Sequence, residues 1–347
     1  MVNLAIVGTG GMAGAHARAF KAIPNCSMLA ACDIDAKRVA DYAREHAIPD
    51  AYTELEKVLI RKDIDAVSLV VPDSLHHPLG LKVLAAGKHL LCEKPLALNH
   101  AQAVEMRDAA ARAGVIHMVN FSYRNSSAIQ RASELVEAGV LGTVRHVRAH
   151  YHQSWLVQDA WGDSRSKPGF LWRQSKSHGS TGVLGDVGVH LLDFASMPLG
   201  AYKSVYCRLK NFKKNPENAV GEYTLDANDT ALITAEFSNG ALGTLDLTRW
   251  AYPHINQVQL RLYGDQASIV IDLDSSYTCL KISRILGRQI MDWETLDCGE
   301  TPTNYARFIR AIESGVADQP DFARAAEIQA VLDACFESDA KDRTIHL

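Results

Sequence analysis

The chain has 347 residues, 47% hydrophobic and 22% charged, with a formal charge of −4. That is enough apolar material for a sizeable core in about two domains. The near-neutral balance, without a block of like charge, gives a nucleic acid or an anionic membrane nothing to hold. No apolar run approaches the roughly 20 residues of a membrane helix, and MVNLAIVGTGG enters a strand without a basic or long apolar leader, so a cytoplasmic protein is expected. Seven scattered cysteines with no C-x-x-C pair read as reduced thiols, mostly small core hydrophobes.

The first third alternates strand and helix signals. Asn3 to Gly8 reads as a strand, Gly11 to Ile23 as a helix, Ser27 to Asp33 as a strand and Ala36 to His46 as a helix. Thr53 to Arg61 is again helical, Asp65 to Val71 a buried strand, Pro78 to Ala86 a helix, and Lys88 to Glu93 a strand. Asn99 suits the N-cap of a helix reaching about Ala113, and Val115 to Asn120 closes the series. Strands spaced by helices predict a parallel α/β sheet whose ligands sit at the carboxyl ends, along an edge holding Gly8, Asp33, Pro72 and Lys94. From about residue 144 strand-like runs follow one another: 144–153, 204–211, 230–237, 241–250, 257–263 and 267–272. These predict antiparallel pairing, with Asn239-Gly240 supplying the positive φ angles of a tight turn. Thr303 to Lys341 reads as helical, broken near 315–320.

Chemistry concentrates at three places. Gly8-x-Gly10-x-x-Ala13 follows a strand and opens a helix, so Gly8, Gly10, Gly11 and Met12 form a loop fit to meet a pyrophosphate at a helix N-terminus. Asp33, at the end of the second strand, is placed to bond ribose hydroxyls and to repel a 2′-phosphate, which favours NAD and leaves NADP open. Lys94 stands between Glu93 and Pro95 at the end of another apolar strand, where a solubilising charge is not needed. In GSTGVLGDVGVHLLDFA, Asp186 and His190 are four apart on an expected helix and share a face, as a base and the acid that orients it; Asp193 is a second candidate for that job. As metal ligands they lack a third partner, since nothing brings the strand residues His150 and His152 to them, and no metal is expected.

PDSLHHPLGLKVLAAGKHLLCEKPLAL and GVLGDVGVHLLD, in this order after a glycine loop, resemble the two signatures of the Gfo/Idh/MocA oxidoreductases. Tyr123-Arg124, Trp172-Arg173, NDTALITAEFSNGALGTL and the helical tail extend the likeness over nearly the whole chain, while Asp73 and Ala13 depart from the family's usual asparagine and third glycine. The resemblance implies an α/β Rossmann domain over residues 1–122. It implies next an α+β domain over 123–347, for substrate binding and for homodimer or homotetramer formation through a large open antiparallel sheet. It makes Lys94, Asp186 and His190 the catalytic group, with Pro72, His76, Glu93 and Lys94 beside the cofactor. Trp172 and Arg173, in a segment rich in tryptophan and cations, are substrate-binding candidates together with Asn120, Tyr123, Arg124, Asp186 and His190. The implied reaction moves a hydride between NAD and a secondary alcohol of a sugar, anhydrosugar or cyclitol. A cofactor-binding sensor and an NAD-dependent glycosidase are the rivals on the same fold.

Overall fold

The computed structural model describes residues 1–287, 289 and 292–347. The chain divides into two compact units, Met1–Ser122 with Pro302–Gln329, and Tyr123–Thr301 with Ala330–Leu347.

In the first unit, β1 (Val2–Val7), α1 (Ala13–Lys21), β2 (Cys26–Cys32), α2 (Ala36–His46), β3 (Asp50–Tyr52), α3 (Leu55–Leu59), β4 (Ala66–Leu69), α4 (Asp73–Ala85), β5 (His89–Cys92), α5 (His100–Ala113) and β6 (His117–Val119) alternate along the chain. The strands pair in parallel in the order β3-β2-β1-β4-β5-β6. Four successive buried residues in both β4 and β1 are the mark of a sheet covered on both faces. The order reverses between β1 and β4, and the crevice at such a switch point is where doubly wound sheets take their ligands. Helix α1 starts at Ala13 rather than Gly11, because Gly8 to Met12 stay in the loop. Helix α4 starts at Asp73, five residues before Pro78, which sits inside it; the missing N–H of Pro78 costs only the bond to the carbonyl of Ser74.

The tail corrects the expected boundary. Helix α9 of the full chain order (Asn304–Ser314) sends Tyr305, Phe308 and Ile309 into the same core as Leu4, Ile6, Ala17 and Phe20, so residues 302–329 belong to the first unit.

The second unit contains α6 (Ser127–Glu137), β7 (Val144–Gln153), α7 (Pro168–Leu171), α8 (Val189–Ser196), β8 (Tyr202–Lys210), a two-strand ribbon of β9 (Ala219–Val220) and β10 (Tyr223–Thr224), β11 (Thr230–Phe237), β12 (Leu242–Thr248), β13 (Asn256–Gly264), β14 (Ala267–Asp272), β15 (Cys279–Arg284) and β16 (Glu294–Asp297). Helix α10 (Phe322–Lys341) continues from the first unit, and β17 (Ile345–His346) ends the chain. Among the described residues, nine strands form one sheet in the order β16-β15-β14-β13-β7-β12-β11-β8-β17. Buried and less buried residues alternate along β11 and β12, so one face is covered and the other is not. The sheet is mixed rather than wholly antiparallel: β7 lies between β12 and β13, which run in opposite directions, and is therefore parallel to β12 and antiparallel to β13. In the hairpin between β11 and β12 only Gly240 has positive φ (+85°); Asn239 instead accepts the Ala241 N–H through its side chain.

Candidate active site

The glycine loop follows β1. Gly8 has φ +90°, and a Cβ there would lie 2.2 Å from the Val70 carbonyl oxygen, so a side chain is excluded by sterics as well as by conformation. At Gly10 and Gly11 a Cβ would meet nothing within 4 Å, which leaves open ground in front of the α1 N-terminus. Asp33, at the end of β2, accepts from the Thr9 N–H (2.8 Å) and hydroxyl (2.9 Å), the Asp35 N–H (3.1 Å) and the Arg38 guanidinium (2.5 and 3.1 Å). Burial opposes its ionisation, but the bonds from Arg38, Thr9 and Asp35 outweigh that and hold the carboxyl well below the usual carboxylate range. An open hollow lined by Thr9, Asp35, Arg38 and Tyr42 flanks this acid. Open backbone at a helix N-terminus, beside an ionised acid at the second strand's end, fits the pyrophosphate and adenosine ribose of NAD.

Lys94 leaves the carboxyl end of β5, half-buried, followed by a cis bond to Pro95. Beneath it lies a buried polar network. Glu93 accepts from the Lys94 N–H (3.2 Å), from His16 Nε2 (2.9 Å) and from Asn120 Nδ2 (2.6 Å); His16 Nδ1 meets the Ser68 hydroxyl (2.8 Å), and Asn120 also reaches the Tyr305 hydroxyl (3.0 Å). The carboxylate accepts only, so Nε2 carries the His16 proton and Nδ1 can accept from Ser68. This corrects two expectations. Glu93 and Asn120 do not line open space: both are buried and bonded to each other, with further bonds to His16, Tyr305 and the Lys94 N–H, so they hold the lysine's backbone from beneath. His76 is a third correction: it is fully buried, with one ring nitrogen 2.6 Å from the Pro95 carbonyl and the other 2.9 Å from that of Val71, a brace between the loops after β4 and β5. Pro72, the residue before α4, is exposed at that edge.

Burial opposes ionisation of Glu93, yet His16, Asn120 and Lys94 draw its pKa from 4.5 to about 2. A depressed carboxylate stabilises the fold fully above its unfolded pKa and loses that contribution as pH falls toward the folded value. The stability gap between the native chain and Glu93→Gln should therefore be on the order of 3 kcal/mol near neutrality. It should shrink between pH 4.5 and about 2. Urea unfolding across that window measures it, and a gap that ignores pH would contradict the assignment.

In the second unit, Asp186 lies in a π-helical turn, Leu184–Gly188, and His190 in α8 directly after it. Such turns are frequent at functional sites. Arg249, 1% exposed and invisible to the sequence reading, donates from Nη2 to Asp186 Oδ2 at 2.9 Å and from Nη1 to the Arg173 carbonyl at 3.1 Å, while its guanidinium stacks over Trp155 at 4.6 Å. Asp193, the other candidate for the orienting job, is buried in a two-bond pair with Arg124 (2.7 Å each), so Arg124 too is buried and engaged rather than open to solvent. The Tyr123 ring stands edge-on to His190 at 5.1 Å, and its hydroxyl closes a cycle with Tyr151 and Asn256. In that cycle Tyr151 donates to Asn256, Asn256 to Tyr123 and Tyr123 to Tyr151, so the Tyr123 hydroxyl is spent and its ring packs the histidine. Trp172 is exposed, and the half-buried Arg173 holds its guanidinium 4.6 Å from the ring. His150 and His152 converge on Asp246, on β12.

Residues 2–121 match the family described as an oxidoreductase family with an NAD-binding Rossmann fold, and residues 129–270 match the GFO/IDH/MocA C-terminal domain. The chain belongs to the Gfo/Idh/MocA oxidoreductases. It is 27% identical to a levoglucosan dehydrogenase of Pseudarthrobacter phenanthrenivorans over 98% of this chain and 97% of that one. The structure of a levoglucosan dehydrogenase in complex with NADH and L-sorbose superposes with a TM-score of 0.88 at 25% identity, covering 99% of this chain and 98% of that one. An oxidoreductase domain protein from Kribbella flavida superposes at 0.89 with 28% identity, covering 100% and 99%. The chain is thus an NAD-dependent dehydrogenase, and no described helix is long and apolar enough to cross a membrane.

Proposed function

We propose that the enzyme reversibly oxidises a secondary alcohol of a sugar, anhydrosugar or cyclitol. The observation that carries this is Lys94, a lysine at the carboxyl end of β5 whose backbone is fixed by a buried carboxylate in the sheet that holds the glycine loop. A near full-length likeness to an enzyme named for an anhydrosugar supports the substrate class.

NAD, when bound, supplies the acceptor for the hydride that leaves the carbinol carbon. The hydroxyl proton leaves to His190, since an imidazole can both accept and return a proton. Lys94 donates to the oxygen as its negative charge grows, stabilising it and keeping it aligned. Asp186 orients the base, and Arg249 in turn holds Asp186. The exposed Trp172 face and Arg173 are the sugar contacts of this scheme, the ring lying against C–H surface and the guanidinium meeting hydroxyls. A second copy pairs with the first through the large sheet.

Reduced-nicotinamide absorbance, followed with NAD or NADP over a panel of sugars, anhydrosugars, cyclitols and sugar phosphates, tests the reading. Turnover with NAD on a member of the panel is expected. Bound NAD with no reduction of any member would favour the sensor, and glycosidic cleavage without net reduction the glycosidase.

A further inference from the structure

The covered face of the large sheet carries Tyr151, which is tied to Tyr123 and so to His190. His150 and His152 flank Tyr151 on β7, so strand alternation sends both to the opposite face, away from His190. Their rings lie stacked, with centroids 4.1 Å apart and planes 11° from parallel. Asp246 of β12 is registered beside His150, and its Oδ2 lies 2.5 Å from His152 Nε2. One donor atom from each of the three lies within 4.8 Å of the other two. From the next strand, Gln257 gives its Nε2 to Asp272 (3.3 Å), which turns its Oε1 toward His150 Nε2 at 3.2 Å.

From this arrangement we infer a binding site for one divalent transition-metal ion of zinc's class, held by His150, His152 and Asp246. Two imidazoles and one carboxylate are donors that suit zinc, cobalt, nickel or copper, whereas magnesium and calcium take oxygen ligands. Bonds of about 2.0–2.2 Å in a tetrahedron put donor atoms about 3.3 Å apart. The donors sit on either side of that spacing, His152 and Asp246 closer and the group as a whole wider, and half-buried side chains reach it by small χ rotations. The backbone need not move, since all three residues stand on adjacent, hydrogen-bonded strands. The Gln257 carbonyl oxygen or a water completes the fourth position. The ion would tie β7 to β12, the parallel pair.

The test uses the full-length, tag-free protein, stripped with a chelator and titrated calorimetrically with zinc chloride. One ion per chain is expected, with a Kd in the micromolar range or tighter, and a zinc-dependent rise in the melting midpoint. Asp246→Asn and His152→Gln should each weaken binding at least about tenfold and remove the melting shift. Cobalt in place of zinc should show the visible bands of a four-coordinate ion, lost in the same variants. The absence of binding, or an affinity that both variants retain, overturns the site; should His152→Gln fail to fold, Asp246→Asn decides alone.

Discussion

Lys94→Ala is expected to lower turnover of the sugar substrate by about a hundredfold or more while leaving NAD affinity within a few-fold of the native value. A hundredfold is about 2.7 kcal/mol of transition-state stabilisation, the size found when a single donor to a developing oxyanion is removed. The loss should fall on kcat, because the ammonium interacts most strongly with an oxygen whose negative charge appears only as its proton passes to the base, before hydride departure turns it into a carbonyl. The fold should tolerate the change: the carboxylate beneath binds the Lys94 backbone N–H, which alanine keeps. Steady-state absorbance and NAD binding, measured on the same preparation, separate the two effects. Undiminished turnover would remove Lys94 from the mechanism.

The arrangement around Lys94 shows where sequence reasoning reached and where it stopped. The glycine loop, Asp33 and Lys94 were legible because each sits at the end of an apolar strand, a position that period and composition locate without help from the rest of the chain. The network under Lys94 was not, because its members are far apart: His16 is 77 residues from Glu93, and Asn120 is 185 from Tyr305. Buried polar groups must find partners wherever the fold brings them, and no local pattern announces that. Asp193 shows the opposite failure. Three residues beyond His190, its spacing suggested a shared helix face, but a fully desolvated carboxylate pairs with the cation that satisfies both its oxygens, here Arg124, 69 residues away. Arg249 falls inside the strand-like run 241–250, where nothing in the pattern marks it, and only its burial against Trp155 exposes it as the holder of Asp186. The tail went to the wrong domain for a similar reason: its helical period shows that α9 has an apolar face, not which core that face joins.

Asp33→Ala should weaken NAD and turn cofactor choice toward NADP, with the ratio of the two kcat/KM values moving by about tenfold or more, equivalent to about 1.4 kcal/mol. Two causes act in the same direction. The substitution removes the carboxylate that meets the ribose hydroxyls and repels a 2′-phosphate. It also releases Arg38, whose guanidinium now spends both Nε and Nη2 on Asp33 and stands over the hollow beside Thr9. A freed planar guanidinium is well matched to a phosphate. Arg38→Ala added to Asp33→Ala separates the causes, since it should remove the part of the NADP gain that the freed guanidinium supplies while leaving the part that comes from lost repulsion, and the loss with NAD. Asp33 also holds the Thr9 N–H and hydroxyl, so part of the NAD loss comes from a slackened glycine loop. That part reports equally on both cofactors and cancels in the ratio. A ratio that does not move in Asp33→Ala would mean that this carboxylate braces the loop and takes no part in choosing the cofactor.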